Sequence, residues 1–196
     1  QGASIDVINV GNSSSEPTLR KALAIGADKA IRIDADPLDG YFVAKQISEY
    51  VKTSSYDLII AGRESIDYNG AMVPGLIAGF LKINYVTNCT KLEIDNEKVE
   101  LDREIDGGKE TLNCTLPLII GGQKGLVEES DLRIPNMRGI MQARQKPLEV
   151  LEAFDYSSNT KTIKFYKPEP KQAVKLVSAD NLDELINLLH NEAKVL

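Results

Sequence analysis

The chain's patterning predicts an α/β fold, a doubly wound parallel sheet that carries an antiparallel β insertion and an extended C-terminal arm. Short β-branched apolar runs alternate with amphipathic segments from Ser4 to Leu81. Three extended segments joined by Asp-Asn and Asp-Gly-Gly turns follow, and prolines punctuate the stretch after Lys146. Ser4–Gly11 (SIDVINVG) has the make-up of a buried parallel strand ending on glycine. A helix is expected next, with Ser13 three residues before Glu16 as a capping box, Pro17 in the first turn and Gly26 as the stop. Ala30–Asp34 is the second strand, Tyr41–Thr53 an amphipathic helix and Asp57–Gly62 the third strand. The Ala71–Leu81 segment is apolar nearly all round, with Gly75 and Gly79 spaced for close packing, so a fully buried helix is expected there. Right-handed crossovers between such strands put helices on both faces of the sheet.

Val86–Ile94, Lys98–Ile105 and Lys109–Ile120 form the insertion, with turns at Asp95-Asn96 and Asp106-Gly107-Gly108. A short basic helix is expected at Met137–Arg144 and a last helix at Asn181–Glu192. Residues 1–146 therefore make the α/β domain, including the hairpin region 86–120 and a basic segment 133–146, and residues 147–196 make the arm and terminal helix. Gln1-Gly2-Ala3 has the character of a helix end running into a strand, so the domain's first strand-helix unit is expected to be absent from this sequence.

At 196 residues the chain suits one domain with a real core. Its 42% hydrophobic and 27% charged content is that of a globular protein, and no apolar run approaches the roughly 20 residues needed to span a bilayer. Membrane insertion is not expected. A net charge of −6 argues against general nucleic-acid affinity, which needs a basic face. Cys89 and Cys114 lack CxxC spacing and read as buried free thiols of a reducing, cytoplasmic compartment. His190, the sole histidine, belongs to the solvent face of the terminal helix. One histidine without paired cysteines argues against a zinc site or a Ser-His-Asp triad.

The loop from Gly62 to Gly70 is longer and more polar than a simple connection needs. A helix N-terminus offers unpaired N–H groups and a positive dipole end, so Asn69-Gly70-Ala71 suits a phosphate, with Arg63 adding charge. Ser65 and Asp67 suit ribose hydroxyls, or alternatively cap backbone groups of an ordinary turn. The loop holds neither GxGxxG nor a P-loop. Arg103 and Glu110 are spaced to pair across the hairpin.

Three segments resemble the beta subunit of electron-transfer flavoproteins. Arg20–Ala30 (RKALAIGADKA) is similar to the family's R-x-A-L-A-M-G-A-D-R-A, and Asp57–Asp67 (DLIIAGRESID) to its D-L-[IV]-x-x-G-[KR]-x-x-I-D loop. Leu101–Leu112 (LDREIDGGKETL) resembles the signature V-x-R-E-I-D-G-G-x-E-T-L, the most specific of the three. The resemblance implies a Rossmann-like subunit without catalytic residues of its own, paired with an alpha subunit that carries the redox-active FAD. It implies a second adenine nucleotide here, AMP or another FAD. The contacts implied are Val10 and Gly11, then Gly62, Arg63, Glu64, Ser65, Ile66, Asp67, Tyr68, Asn69, Gly70, Ala71, Met72 and Val73. At Asp67–Pro74 the AMP type reads D-D-D-C-N-Q-T-G and the bifurcating type D-G-D-T-A-Q-V-G; this chain follows the second at Ala71 and Val73 and neither elsewhere. The nucleotide is thus left open between AMP and FAD.

The resemblance further implies that Glu104, next to Arg103, lies near the partner's flavin domain. The Arg133–Lys146 segment is similar to the family's recognition loop for acyl-CoA dehydrogenases and other donors, with Met137 as the apolar anchor beside Arg138, Ile140 and Met141. Two rival readings stay open: an adenine-nucleotide-binding regulatory module related in fold to universal stress proteins, and an adenine-nucleotide hydrolase or ligase. The first lacks the R-E-I-D-G-G hairpin and basic segment, and the second demands a Gly-rich phosphate motif after the first strand.

Overall fold

The structure is a computed structural model that describes residues 2–66, 68–96, 98–171 and 173–196. It falls into two compact units, Gln1–Lys161 and Thr162–Leu196. The first is a mixed α/β unit in which β1 (Asp6–Val10), α1 (Glu16–Ile25), β2 (Lys29–Asp34), α2 (Gly40–Lys52), β3 (Leu58–Gly62) and α3 (Val73–Leu81) alternate as the periodicity requires. Then come β4 (Asn84–Asp95), β5 (Lys98–Ile105), β6 (Gly108–Thr115), β7 (Leu118–Gly122), α4 (Met137–Ala143) and β8 (Leu148–Glu152).

The strands form two sheets rather than one. The first is β1-β2-β8, parallel throughout; the second has the order β3-β7-β4-β5-β6, parallel from β3 through β7 to β4 and antiparallel from β4 to β6. Two expectations are corrected here. The segment Lys109–Ile120 is two strands: Pro117 has no N–H to give a ladder, so β6 ends before it, and the wholly apolar Leu118-Ile119-Ile120 turns into the buried centre between β3 and β4. Leu148–Glu152, expected in an extended arm, pairs with β2, whose Ala30 N–H donates to Pro147 O at 3.0 Å. A strand as buried as β2 needs its second edge satisfied, and β8 satisfies it.

Alternation along β1 and β2 sorts their side chains onto two helical layers. Leu19 and Leu23 of α1 and Ala143 of α4 pack with Ala30 on one face, while Phe42 of α2 packs with Val10 and Ile33 on the other. Ala44 of α2 also joins Ile77 and Ala78 of α3 against Ile119 of β7. One helix thus serves both sheets. The outer edges of β1 and β3 have no strand partner among the described residues, and a cavity of about 220 Å³ lies between them, lined by Val7, Ile8, Ile47, Tyr50, Leu58 and Ile59. Tyr56 spans its rim, donating to Asp6 Oδ2 at 2.8 Å.

Local details depart from the sequence patterns for steric reasons. Ser13–Ser15 is a single 3-10 turn whose cap is Asn12, so the Ser13 capping box does not form; Glu16 instead pairs with Arg32 at 3.0 Å. Pro17 and Gly26 do bracket α1. The α3 helix begins at Val73 rather than Ala71, because Asn69 and Ala71 adopt left-handed φ of 46° and 48°. Its burial is one-sided: Pro74, Ile77 and Ala78 are covered, whereas Gly79 is exposed with open space beside it. Cys89 is buried and Cys114 half-buried, both free, and burial pushes the Cys89 thiol up.

The second unit holds α5 (Leu182–Asn187), capped by Asn181, then a π-helical turn at Leu188–Glu192 that includes the exposed His190. Among the described residues no helix is long and apolar enough to cross a membrane.

Asp39 anchors the start of α2. Its carboxylate caps the helix at Phe42 N (2.7 Å) and accepts from Asn159 N, Thr160 N and Thr160 Oγ1 at 2.8 to 3.0 Å. Burial opposes its ionisation, but these four bonds outweigh burial and hold the carboxyl below the usual carboxylate range. A folded pKa below the unfolded one means that the contribution is complete above about pH 5 and is lost as pH falls through the folded value. Asp39→Ala is expected to cost about 1–2 kcal/mol at pH 7 and to flatten the acid limb of the stability curve, measured by urea unfolding across pH 3 to 7 under circular dichroism.

Candidate nucleotide and docking sites

The expected ligand loop leaves the carboxyl end of β3, where ligands of open α/β sheets bind. Arg63 N–H donates to Gly122 O at 3.1 Å, tying the loop to β7. The guanidinium turns back on its neighbours: Nε and Nη2 bond Glu64 Oε1 at 3.1 and 2.5 Å, and Nη1 bonds Gln123 Oε1 at 3.2 Å. Asn69 N–H donates to Ser65 O at 2.8 Å, closing the loop on itself. Left-handed Ala71 followed by right-handed Met72 (φ −103°, ψ −28°) turns successive N–H groups the same way, the arrangement that makes an anion-binding nest. The N-cap residue Met72 has no capping side chain, so among the described residues the nest and the positive end of α3 are left without a side-chain cap. The Met72 thioether packs over Gly40 at the start of α2, where a β-carbon would meet Sδ at 2.7 Å. Ile66 is 95% exposed, Tyr68 is exposed, and Asp67 lies outside the described residues.

Val10 ends β1 in the other sheet and Gly11 follows it, both buried. A β-carbon on Gly11 would sit 2.7 Å from Asn9 Oδ1 and 3.1 Å from Ser15 Oγ, so a side chain there would have to displace the Asn9 amide. Among the described residues no hydrogen bond joins them to the 62–73 loop. The sequence reading missed two residues here. Arg32, 5% exposed, spans the strand ends, bonding Gly11 O at 3.0 Å, Asp34 and Glu16. Asn9 Oδ1 is buried with no hydrogen-bond partner among the described residues. Each interrupts an apolar run, Val7-Ile8-Asn9-Val10 and Ala30-Ile31-Arg32-Ile33, which was the available signal.

The hairpin residues meet the loop. Arg63, Asn88, Arg103, Glu104, Asp106 and Gln123 line one polar cavity of about 690 Å³, so residues singled out separately as ligand and partner contacts share a site. Arg103 pairs across the hairpin with Glu110 at 2.7 Å. Below it the buried Asp102 accepts from Thr111 Oγ1 at 2.7 Å and Lys109 Nζ at 3.0 Å, and these two bonds hold its carboxyl below the usual range. Asn88 sits on a β4 bulge at φ 54°, from which Nδ2 reaches Glu104 O at 3.3 Å. Asn88 and Gln123 were not foreseen, because a bulge and the end of a central strand carry no sequence pattern of their own.

The Arg133–Lys146 segment is held on α1, away from this cavity. Asn136 caps α4 through Gly139 N at 2.8 Å, and Gly139 lies so close to Ala24 O that a β-carbon would stand 2.5 Å from it. Arg20 donates to Ala143 O and Lys146 O, both at 2.8 Å; Lys146 donates to Leu23 O and Ala27 O at 3.1 and 2.6 Å. Each cation thus satisfies the carbonyl end of the other helix. Met137, 75% exposed, projects from this support with Arg138, Ile140 and Met141 also exposed.

Residues 1–155 match the family described as the electron transfer flavoprotein domain. Over its full length the chain is 37% identical to the electron transfer flavoprotein subunit beta of Bacillus subtilis (strain 168), covering 80% of that protein. It is 33% identical to the mitochondrial electron transfer flavoprotein subunit beta of Oryza sativa subsp. indica, covering 79%. With the Sus scrofa subunit beta, 96% of the chain aligns at 28% identity over 75% of the relative. The chain belongs to the electron transfer flavoprotein family, among its beta subunits.

Gly139→Leu is expected to push α4 off α1 and to destabilise the chain by about 1–3 kcal/mol. Met137→Ala, on the exposed face, is expected to stay within about 0.5 kcal/mol of the parent. Parallel thermal and urea melts check the pair; equal losses would mean that Met137 is structural.

Proposed function

We propose that this chain is an electron-carrier subunit without catalytic residues of its own. It pairs with an FAD-bearing alpha subunit, receives electrons from dehydrogenases such as acyl-CoA dehydrogenases and passes them on. It binds AMP, or a second FAD, through Val10, Gly11 and the 62–73 loop. The observation that carries this reading is the shared cavity in which Arg63 of the loop meets Arg103 and Glu104 of the hairpin. A phosphate suits the nest and helix end at Ala71–Val73, and Arg63 brings a cation within the same loop.

The finer fold belongs to the same proposal. The two sheets are halves of one doubly wound, Rossmann-like sheet, closed by a strand in the apolar slot between β1 and β3. Their unpaired parallel edges and the 220 Å³ cavity support it.

Docking to the donor runs through Met137. A flexible thioether on a firmly held helix suits insertion into an apolar pocket, and Arg138 and its cationic neighbours steer an acidic donor surface.

Purifying the subunit with its alpha subunit and counting flavin and AMP per heterodimer tests the first claim. One FAD with AMP means the AMP type and two FAD the second type; the absence of both flavin and heterodimer would sink the reading. Glu104→Ala is expected to change the electron-transfer rate by threefold or more while the melting temperature stays put, followed by stopped-flow flavin absorbance. The donor encounter rate is expected to fall as salt rises from 20 to 300 mM, and a flat response would remove the steering role of the cations.

A further inference from the structure

Between the ligand loop and the hairpin stands one side chain with no assigned role, Gln123. It follows directly on β7, and its N–H donates to Cys89 O at 2.9 Å, which fixes its backbone on the bulged part of β4. Its amide faces two opposite charges. Oε1 accepts from Arg63 Nη1 at 3.2 Å, and Nε2 donates to Glu104 Oε2. The reversed amide would set N–H against a cation and C=O against a carboxylate, so the two neighbours dictate its orientation. Glutamate can accept but not donate, lysine can donate but not accept, and both would mismatch one side.

We propose that Gln123 is a positioning residue that couples the nucleotide loop to Glu104. Arg63 divides its donors between Glu64 and Gln123. An anionic ligand on the loop draws the guanidinium toward itself, and the amide then follows or is released. Glu104 is exposed, and among the described residues Gln123 is the one hydrogen-bond partner of its carboxylate, Asn88 reaching only the backbone carbonyl. The carboxylate's orientation therefore answers to Gln123. Nucleotide occupancy is in this way passed to the Glu104 carboxylate over a path of two hydrogen bonds. This inference rests on the nucleotide-binding reading above.

The test is hydrogen exchange in the full heterodimer with and without AMP, or FAD where two flavins are counted, at concentrations that saturate each variant. Peptides covering Leu101–Thr111 are expected to change exchange rate at least threefold on binding in the parent, and to lose that response in Gln123→Ala and Gln123→Glu. Gln123→Glu combined with Glu104→Gln reverses donor and acceptor across the contact, and is expected to restore the response, which a merely structural role would not do. A parent whose hairpin ignores bound nucleotide, a Gln123→Ala variant that keeps the response, or an exchanged pair that stays silent would each overturn the coupling. A parent heterodimer that binds no nucleotide at this loop would instead bring down the nucleotide-binding reading, and the coupling with it.

Discussion

The structure depends on α2 being covered on nearly every side. Phe42 faces the β1-β2 layer and Ala44 faces α3 and β7, so one thirteen-residue helix carries the packing of both sheets. Such a helix cannot keep polar side chains in its interior unless they are satisfied. Gln46, fully buried, meets that demand by bonding both the N–H and C=O of Phe154 at 2.8 Å, much as a strand would. Ser48 returns its hydroxyl to Ala44 O at 2.7 Å. With Asp39 gripping Asn159 and Thr160, α2 also decides where the chain runs after β8.

This arrangement aligns the carboxyl ends of parallel strands, and the chemistry gathers there. Arg63 follows β3, Gln123 follows β7, and Asn88 leaves the β4 bulge to meet Glu104. The bulge matters because β4 is twice employed: its first part is parallel to β7 and its second is antiparallel to β5. Changing partners requires an extra residue, and that residue re-aims a side chain. The long hairpin then extends the sheet, with Leu101 and Val99 in its core and Asp102 clamped by Thr111 and Lys109.

The α4 helix follows a different economy. It has seven residues, too few for stability by itself. Its rigidity comes from α1, through the close approach at Gly139 and the crossed cation-to-carbonyl bonds of Arg20 and Lys146. Four apolar or cationic side chains can then stand in solvent without the helix fraying. An exposed apolar group on a firm support suits recognition.

Sequence periodicity and local motifs by themselves determined the α/β alternation from β1 to α3, the hairpin turns, the helix α4 and the kinship that Leu101–Leu112 carries. These are local properties: a period of two or 3.6, a turn residue, a motif. It did not reveal that Leu118–Gly122 is a central parallel strand or that Leu148–Glu152 closes β2, since strand partners are distant in the chain and an apolar run does not name its neighbour. Nor did it show Gln123 between Arg63 and Glu104, because that contact exists only where three separately coded chain segments converge. Local pattern decides which elements form; only packing, which weighs every edge and buried polar group at once, decides which of them meet.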